Sequence, residues 1–536
     1  MMSWSRIAAS LAIALLGASC AVGPDFKPLA APETDRYTKE TSLPRTASAA
    51  VATGQSQRFD RDLDIPAEWW TLLRSRKLNA LIERSLRANP TLETAIAALR
   101  VAQENTLAQQ GKFFPLVAGN FNASRNSAPT NPLGAPPVVT DVNGNASQRN
   151  PYNIVTSQVT VAYTLDVWGQ NRRAVESLQA QTDSARFQAE AARLTLVSSL
   201  ALAAIQEASL RDQITATREL IAINTTALDI LRRQFNSGYS SRIDLAAQEA
   251  QLAQIAATLP PLQKQLAQQR DLITALAGRY PSEEPGETFT LAAFTLPREL
   301  PLSLPSKLVE QRPDVRTAQE LLHSASALIG VAVANMLPNF SVNGNAGYTA
   351  LALGNLSDYL TRTNMAAAIA GNIAQPLFDG FSLLHQKRSA EASFDQAYAQ
   401  YRVTVIAALQ NVADTLRALQ TDANALKAAY EAERAAKVSF DLVRHQFDSG
   451  YTNILLLINA QQTYLQARLA TIQARANRLS DTVALYQALG GGWWNRPESL
   501  SPESDELARN AKLIPDVLLP PPASVPAPTP VAEKKE

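Results

Sequence analysis

The chain has 536 residues, with 49 Lys and Arg against 48 Asp and Glu, a formal net charge of +1. That balance argues against general nucleic-acid binding, which needs a clustered basic surface. Charged residues make up 18% and hydrophobic residues 46%, so a large core is available, and the length alone suggests several domains of ~150 residues. A single cysteine excludes an intramolecular disulfide and a cysteine zinc site. His323, His385 and His445 are far apart and form no local metal or hydrolase pattern, although folding can join distant residues.

Arg6 is followed by a short apolar core over 7–16, then by Gly17, Ala18, Ser19 and the sole cysteine, Cys20. The apolar run is too short to span a membrane and fits a secretory signal over 1–19. Its end is similar to a bacterial lipobox, in which Cys20 becomes the lipid anchor and Ala21 favours the outer membrane. A plain signal peptide with an incidental cysteine is the other reading. No later segment has 18 uninterrupted apolar residues, so any membrane crossing must use a closed β-barrel. Residues 20–65 read as a polar arm with little regular structure.

The remainder is one unit written twice. RRQFNSGY at 232–239 returns as RHQFDSGY at 444–451, 212 residues on. Ala88-Asn89-Pro90 matches Gln311-Arg312-Pro313, Leu276-Ala277-Gly278 matches Leu489-Gly490-Gly491, and Leu165 to Gly169 matches Leu377 to Gly380. Such long-period self-similarity suggests two like structural halves, 66–278 and 313–495, joined by a Pro-rich segment at 279–312. The tail, 496–536, is Pro-rich and expected to be disordered.

In chain order, the first half predicts a helix over 91–113, strands over 116–124 and 155–166, a long helix over 170–235, and a return path over 241–278. Pro260-Pro261 should bend or break that return path. The second half predicts a helix over 314–337, strands over 339–348 and 365–377, a helix over 381–447 and a return over 452–490. The strands alternate: Phe340, Val342, Gly344, Ala346 and Tyr348 lie opposite Ser341, Asn343 and Asn345, and Val159, Val161 and Tyr163 lie opposite Gln158, Thr160 and Thr164. The pattern suits either a surface hairpin on a soluble domain or apolar-out membrane strands. Four strands cannot close a barrel, so the membrane reading demands an oligomer. The long helices would reach about 100 Å, with every strand hairpin at one end and both Phe-x-Ser-Gly-Tyr turns at the other. A plain coiled coil fits the embedded hairpins poorly.

These residues resemble a known family. CAVGPDFKP from Cys20, Trp69-Trp70, LNALI at 78–82, ANP at 88–90, LDVWG at 165–169, RPDV at 312–315, PLFDG at 376–380 and YQALGGGW at 486–493 are similar to the TolC-like outer-membrane factor lipoproteins of the NodT/OprM branch. The resemblance implies a mostly α homotrimer in which four strands per chain make a 12-stranded outer-membrane β-barrel, continued by a periplasmic α-helical barrel. It implies a passive efflux conduit for small hydrophobic or amphipathic compounds. Its partners would be a periplasmic adaptor and an inner-membrane pump of the RND type. Protein secretion is the alternative in the same class, and a structural coiled-coil envelope lipoprotein is the alternative outside it. No phosphate loop, metal spacing or nucleophile motif is present, so neither catalysis nor a cofactor is expected.

The resemblance also implies a periplasmic aperture at Asn453, Leu455, Leu456 and Asn459, with Asp244 as an acidic lock residue of the first turn. Where relatives carry an aspartate ring, this chain has Asn459, and the further lock positions are Phe447, Thr452 and Leu456. Helix packing is the competing reading for Leu455 and Leu456, and a solvated helix position for Asn459. The turns carrying Phe235, Gly238, Tyr239, Phe447, Gly450 and Tyr451 are the expected adaptor-facing tips, although the glycines also suit a helix stop with positive φ.

Overall fold

The structure is a computed structural model that describes residues 21–30, 34, 36–39, 44–61, 63–127, 138–140, 146–148, 152–351 and 365–496. The expected signal 1–19, Cys20, much of both strand loops and the tail from 497 lie outside the described residues.

A short strand β1 (Arg58–Asp60) precedes two copies of one path. In the first copy, α1 (Arg76–Ala88) and α2 (Pro90–Gln110) lead into β2 (Leu116–Asn126). The small antiparallel pair β3 (Val138–Thr140) and β4 (Ala146–Gln148) follows, then β5 (Tyr152–Leu165). The long α3 (Gln170–Asn236) runs out, and α4 (Arg242–Ala257) and α5 (Leu259–Leu276) return. After β6 (Glu299–Pro301), the second copy repeats the path: α6 (Pro305–Gln311), α7 (Pro313–Ala334), β7 (Asn339–Leu351), β8 (Met365–Ala374), α8 (Ser382–Asp448) and α9 (Ile454–Ala488). The long helices α3 and α8 have 67 residues each and so reach about 100 Å. The break expected at Pro260-Pro261 falls at Thr258, between α4 and α5. Both prolines then sit in the first turn of α5, where a missing N–H does little harm. In the second copy α9 runs unbroken for 35 residues.

Four strands form one antiparallel sheet in the order β2-β5-β7-β8. Ladder partners keep the two faces apart. Val161 lies opposite both Val117 and Gly344, and Gly344 lies opposite Ile369, whereas Thr160 lies opposite Ala118 and Asn345, and Asn345 opposite Ala368. One face is therefore apolar and the other polar or small. The apolar face is bare: Phe121 is 72%, Ile369 82% and Ile373 67% exposed. On the polar face, Asn120 donates to Thr160 and Asn345 donates to Gln158. β8 ends at Ala374 rather than at residue 377, just before Pro376, which has no N–H for the ladder.

At the inter-element joints the two copies use the same construction. Asn89 caps α2 by accepting from Thr91 N at 2.8 Å and donates to Leu276 O at the end of α5, 2.8 Å away. At the matching place Arg312 holds Asp314 through two bonds of 3.0 and 2.7 Å and donates to Ala488 O at the end of α9. Gly278 and Gly490 stand at positive φ, where a Cβ would meet Ala88 O and Gln311 O. The resemblance motifs thus mark joints between helices. One pairing needs correcting: Gly169, the residue before α3, matches Phe381, the residue before α8, and not Gly380, which also stands at positive φ.

The central core joins the start of the first copy to the end of the second. Trp69 stacks on Tyr486 with ring centroids 5.3 Å apart, and residues of the 279–312 segment, Phe289, Leu291, Phe294, Leu300 and Leu308, are buried with them. That segment is part of the core, with β6 parallel to β1. The arm is likewise docked: Gln57 donates to Pro297 O and to Thr482, and the fully buried Arg478 donates to Thr46 Oγ1 and Gln55 O. A second cluster around Leu220, Leu231, Ile255, Phe440, Ile454 and Tyr464 lies towards the turn end of the long helices.

Candidate functional site

The two helix turns are near copies. Gly238 and Gly450 stand at φ +76° and +79°. Tyr239 N donates to Gln234 O and Tyr451 N to Gln446 O, both at 2.8 Å, which satisfies carbonyls that the helix end would leave bare. Tyr239 and Tyr451 are each 87% exposed. Phe235 is partly exposed, whereas Phe447 packs against the second cluster, so the tips differ in one aromatic.

The helices leaving the turns begin with side-chain caps. Ser241 Oγ accepts from Asp244 N at 3.1 Å, and Asp244 Oδ2 accepts from Ser241 N and Oγ–H at 3.2 and 2.7 Å, a complete capping box. Asn453 Oδ1 caps α9 by accepting from Leu456 N at 3.0 Å. Two residues expected at an aperture therefore also have a local structural role. On α9 the buried positions are Ile454, Leu457 and Ile458, while Leu455, Leu456 and Asn459 are exposed. Within the chain, packing onto the cluster falls to the first set, and the second set shares the free face.

Sequence reasoning missed the braces behind this face. Gln248 and Asn224 are fully buried, and Gln248 Nε2 donates to Asn224 O and Oδ1 at 3.2 and 3.0 Å, tying α4 to α3. Gln462 donates to Gln251 Oε1 at 2.8 Å, tying α9 to α4, and Arg468 bonds Glu219 at 2.6 Å, tying α9 to α3. Glutamine is a good helix former, which is all the sequence shows of it here; the burial of Gln248 and Gln251 is a tertiary property.

Further titratable groups lie along the long helices. Burial would lower His323, but its hydrogen bonds to Glu176 and Glu320 outweigh this and push it up to about 9. Burial, then the Glu320 carboxylate, push Asp183 up to about 6. Burial and the neighbouring Asp422 push Asp481 up to about 7. Among the described residues no cluster could hold a metal, and no helix is long and apolar enough to cross a membrane.

A sheet with one bare apolar face, prolonged by paired long helices, is a specific architecture, and the comparisons identify it. The family model for "Outer membrane efflux protein" matches residues 81–279 and 304–491. The chain belongs to the outer membrane efflux protein family. It is 27% identical over 458 residues to the pyoverdine export outer membrane protein OpmQ of Pseudomonas putida, covering 84% of this chain and 94% of that one. It is 26% identical to the toluene efflux pump outer membrane protein TtgC of Pseudomonas putida, covering 92% and 97%. Among solved structures it is similar to the outer-membrane channel OprN, with a TM-score of 0.75, 26% identity and coverage of 88% and 100%. The two matched stretches of the outer membrane efflux family model each take one copy of the repeat.

Proposed function

We propose that this chain is the outer-membrane channel of a tripartite efflux system, a passive conduit for small hydrophobic or amphipathic compounds. The observation that carries this reading is the four-stranded sheet, whose apolar face is bare and whose outer strands β2 and β8 each have one unpaired edge. Open edges and a greasy outer face cannot stand in a bilayer unless the sheet closes. Strands of 10 to 14 residues have the length a membrane barrel needs. Three copies would close a 12-stranded barrel, and their long helices would continue it as a periplasmic tunnel. The duplication supports such closure, because β8 and the next copy's β2 correspond to the pair β5 and β7 already joined within the chain.

In this reading Cys20 carries the lipid anchor. The turns at Gly238 and Gly450 face a periplasmic adaptor, and an inner-membrane pump of the RND type supplies the energy. Leu455, Leu456 and Asn459, with Asp244 and Asn453 at the neighbouring caps, line the aperture. The names of the relatives support efflux of small compounds over protein secretion. Single-particle electron microscopy of the detergent-purified protein tests the proposal. A threefold hollow cylinder with a helical part about 100 Å long is expected. A monomer or a thin solid rod would overturn it.

A further inference from the structure

Each chain has two places where a strand hands over to a long helix, and the duplication makes them comparable. At the first, between β5 and α3, none of residues 165–169 is exposed. The foot of β7 covers it: Trp168 Nε1 donates to Pro338 O at 2.8 Å, and Gln170 Nε2 donates to Asn335 Oδ1 at 2.6 Å. The arm fills the rest. Val22 N donates to Trp168 O, and a Cβ on Gly169 would lie only 2.6 Å from Ala21 Cβ.

At the second, between β8 and α8, residues 375–382 are all exposed. Leu377 is 93%, Phe378 80% and Phe381 62% exposed, and the two phenylalanine rings meet edge to face at 5.9 Å. Phe381 occupies the left-handed region at φ +66°, where the first copy has Gly169. A bulky residue there is an outlier that asks for a reason. Nothing lies within 4 Å of a Cβ placed on Gly380. Each chain has one arm, and it serves the first handover.

We propose that Leu377, Phe378 and Phe381 form the contact surface for the foot of β2 in a second copy of this chain, with Phe381 filling the space that Ala21 fills at the first handover. The inference rests on the trimeric-channel reading and adds to it. The partner follows from the repeat. Asn335 and Pro338 below β7 correspond to Lys112 and Pro115 below β2, and Phe114 and Leu116 beside them are exposed hydrophobics. β2 lies at the far edge of the same sheet, so this foot must come from another copy. The six handovers of a trimer are then sealed in two ways, three by the arm and three by an aromatic pair.

The test uses cysteine pairs in the full-length protein. Lys112→Cys with Ser382→Cys copies, between chains, the Asn335 and Gln170 contact seen within one chain. Non-reducing gels should show covalently linked oligomers with the pair and none with either single variant. Gln170→Cys with Asn335→Cys should close within a monomer. Phe381→Gly should let the oligomer dissociate at lower temperature while subunit folding is unchanged, since glycine accepts the positive φ but leaves the space empty. A tryptophan placed by Phe381→Trp should be insensitive to brominated phospholipid. A wild type that is trimeric but gives no Lys112–Ser382 crosslink overturns this inference alone, as does quenching of the added tryptophan, which would assign the foot to lipid. A wild type that is not an oligomer overturns both this inference and the channel reading.

Discussion

Replacing Gln248 with methionine separates a brace from mere packing at the turn end of the helices. The side chain is fully buried and of similar length, so volume is nearly kept. The change removes two hydrogen bonds to Asn224, at 3.2 and 3.0 Å, and leaves Asn224 Oδ1 buried without a donor. Two neutral bonds are worth ~1 kcal/mol each, and a stranded acceptor costs ~1–3 kcal/mol. Gln248 Oε1 is itself buried without a partner, so its removal returns part of that cost. The net loss is about 2 kcal/mol per chain. If α3 and α4 part at this joint when the aperture dilates, the closed form alone bears the loss. Each chain's open-to-closed ratio then rises roughly 30-fold. Single-channel recording should show a higher open probability, and thermal unfolding a lower midpoint. A lower midpoint with unchanged gating would show that the joint stays intact on opening. An unchanged midpoint would refute the energy assigned to the pair.

Asn459→Asp should raise cation preference in planar-bilayer recordings, because three carboxylates would replace three neutral amides at a constriction; unchanged selectivity would place residue 459 outside it. Arg312→Ala should destabilise the fold by ~2–3 kcal/mol, since Ala488 O loses a charged donor in a nearly buried site, with the exposed Asp314 pair adding little. Chemical denaturation measures it, and a loss below ~0.5 kcal/mol would contradict the joint's importance. Asp481 has a folded pKa raised from 3.8 to about 7, so the fold prefers its protonated form. Wild-type stability is therefore lost as pH rises from 3.8 towards about 7 and stays low above that. Asp481→Asn should raise the unfolding midpoint at pH 8 and change it little at pH 4. An equal gain at both pH values would remove the carboxylate from the explanation.

The strands were legible through their alternation, and the long helices through their many good helix formers, Ala, Gln, Leu, Arg and Glu. Alternation in 339–348 and 155–166 located β7 and β5, and a Phe-x-Ser-Gly-Tyr sequence located each turn through a glycine that takes positive φ. Strand order was not legible, since β5 pairs with β7 across about 170 intervening residues and only the fold brings them together. The docking of the arm was hidden for another reason. Its first residues rest on backbone atoms of Val22 and on the absence of side chains at Gly169 and Gly330, which composition does not reveal, and residues 46–57 find their partners more than 420 residues away. At the candidate site, Ser241-Arg242-Ile243-Asp244 carries a plain capping-box spacing, yet the resemblance directs attention to Asp244 as a lock. Gly169 matches Gly380 by residue type, but the helix starts at Gln170 and Ser382 shift the register by one residue, to Phe381.

The arm's contacts bear on the order in which the chain can fold. Thr46, Gln55 and Gln57 find their partners at Arg478 and Thr482, more than 420 residues later. Closing so long a loop costs entropy that no early contact can offset. Residues 46–57 are thus expected among the last parts of the chain to settle. Until α9 forms, residues 46–57 lack these partners, although Val22 can already meet Trp168 and Asp25 can meet Arg173 in the first copy. Once α9 forms, the same stretch becomes a strap that ties the first copy of the repeat to the last helix of the second.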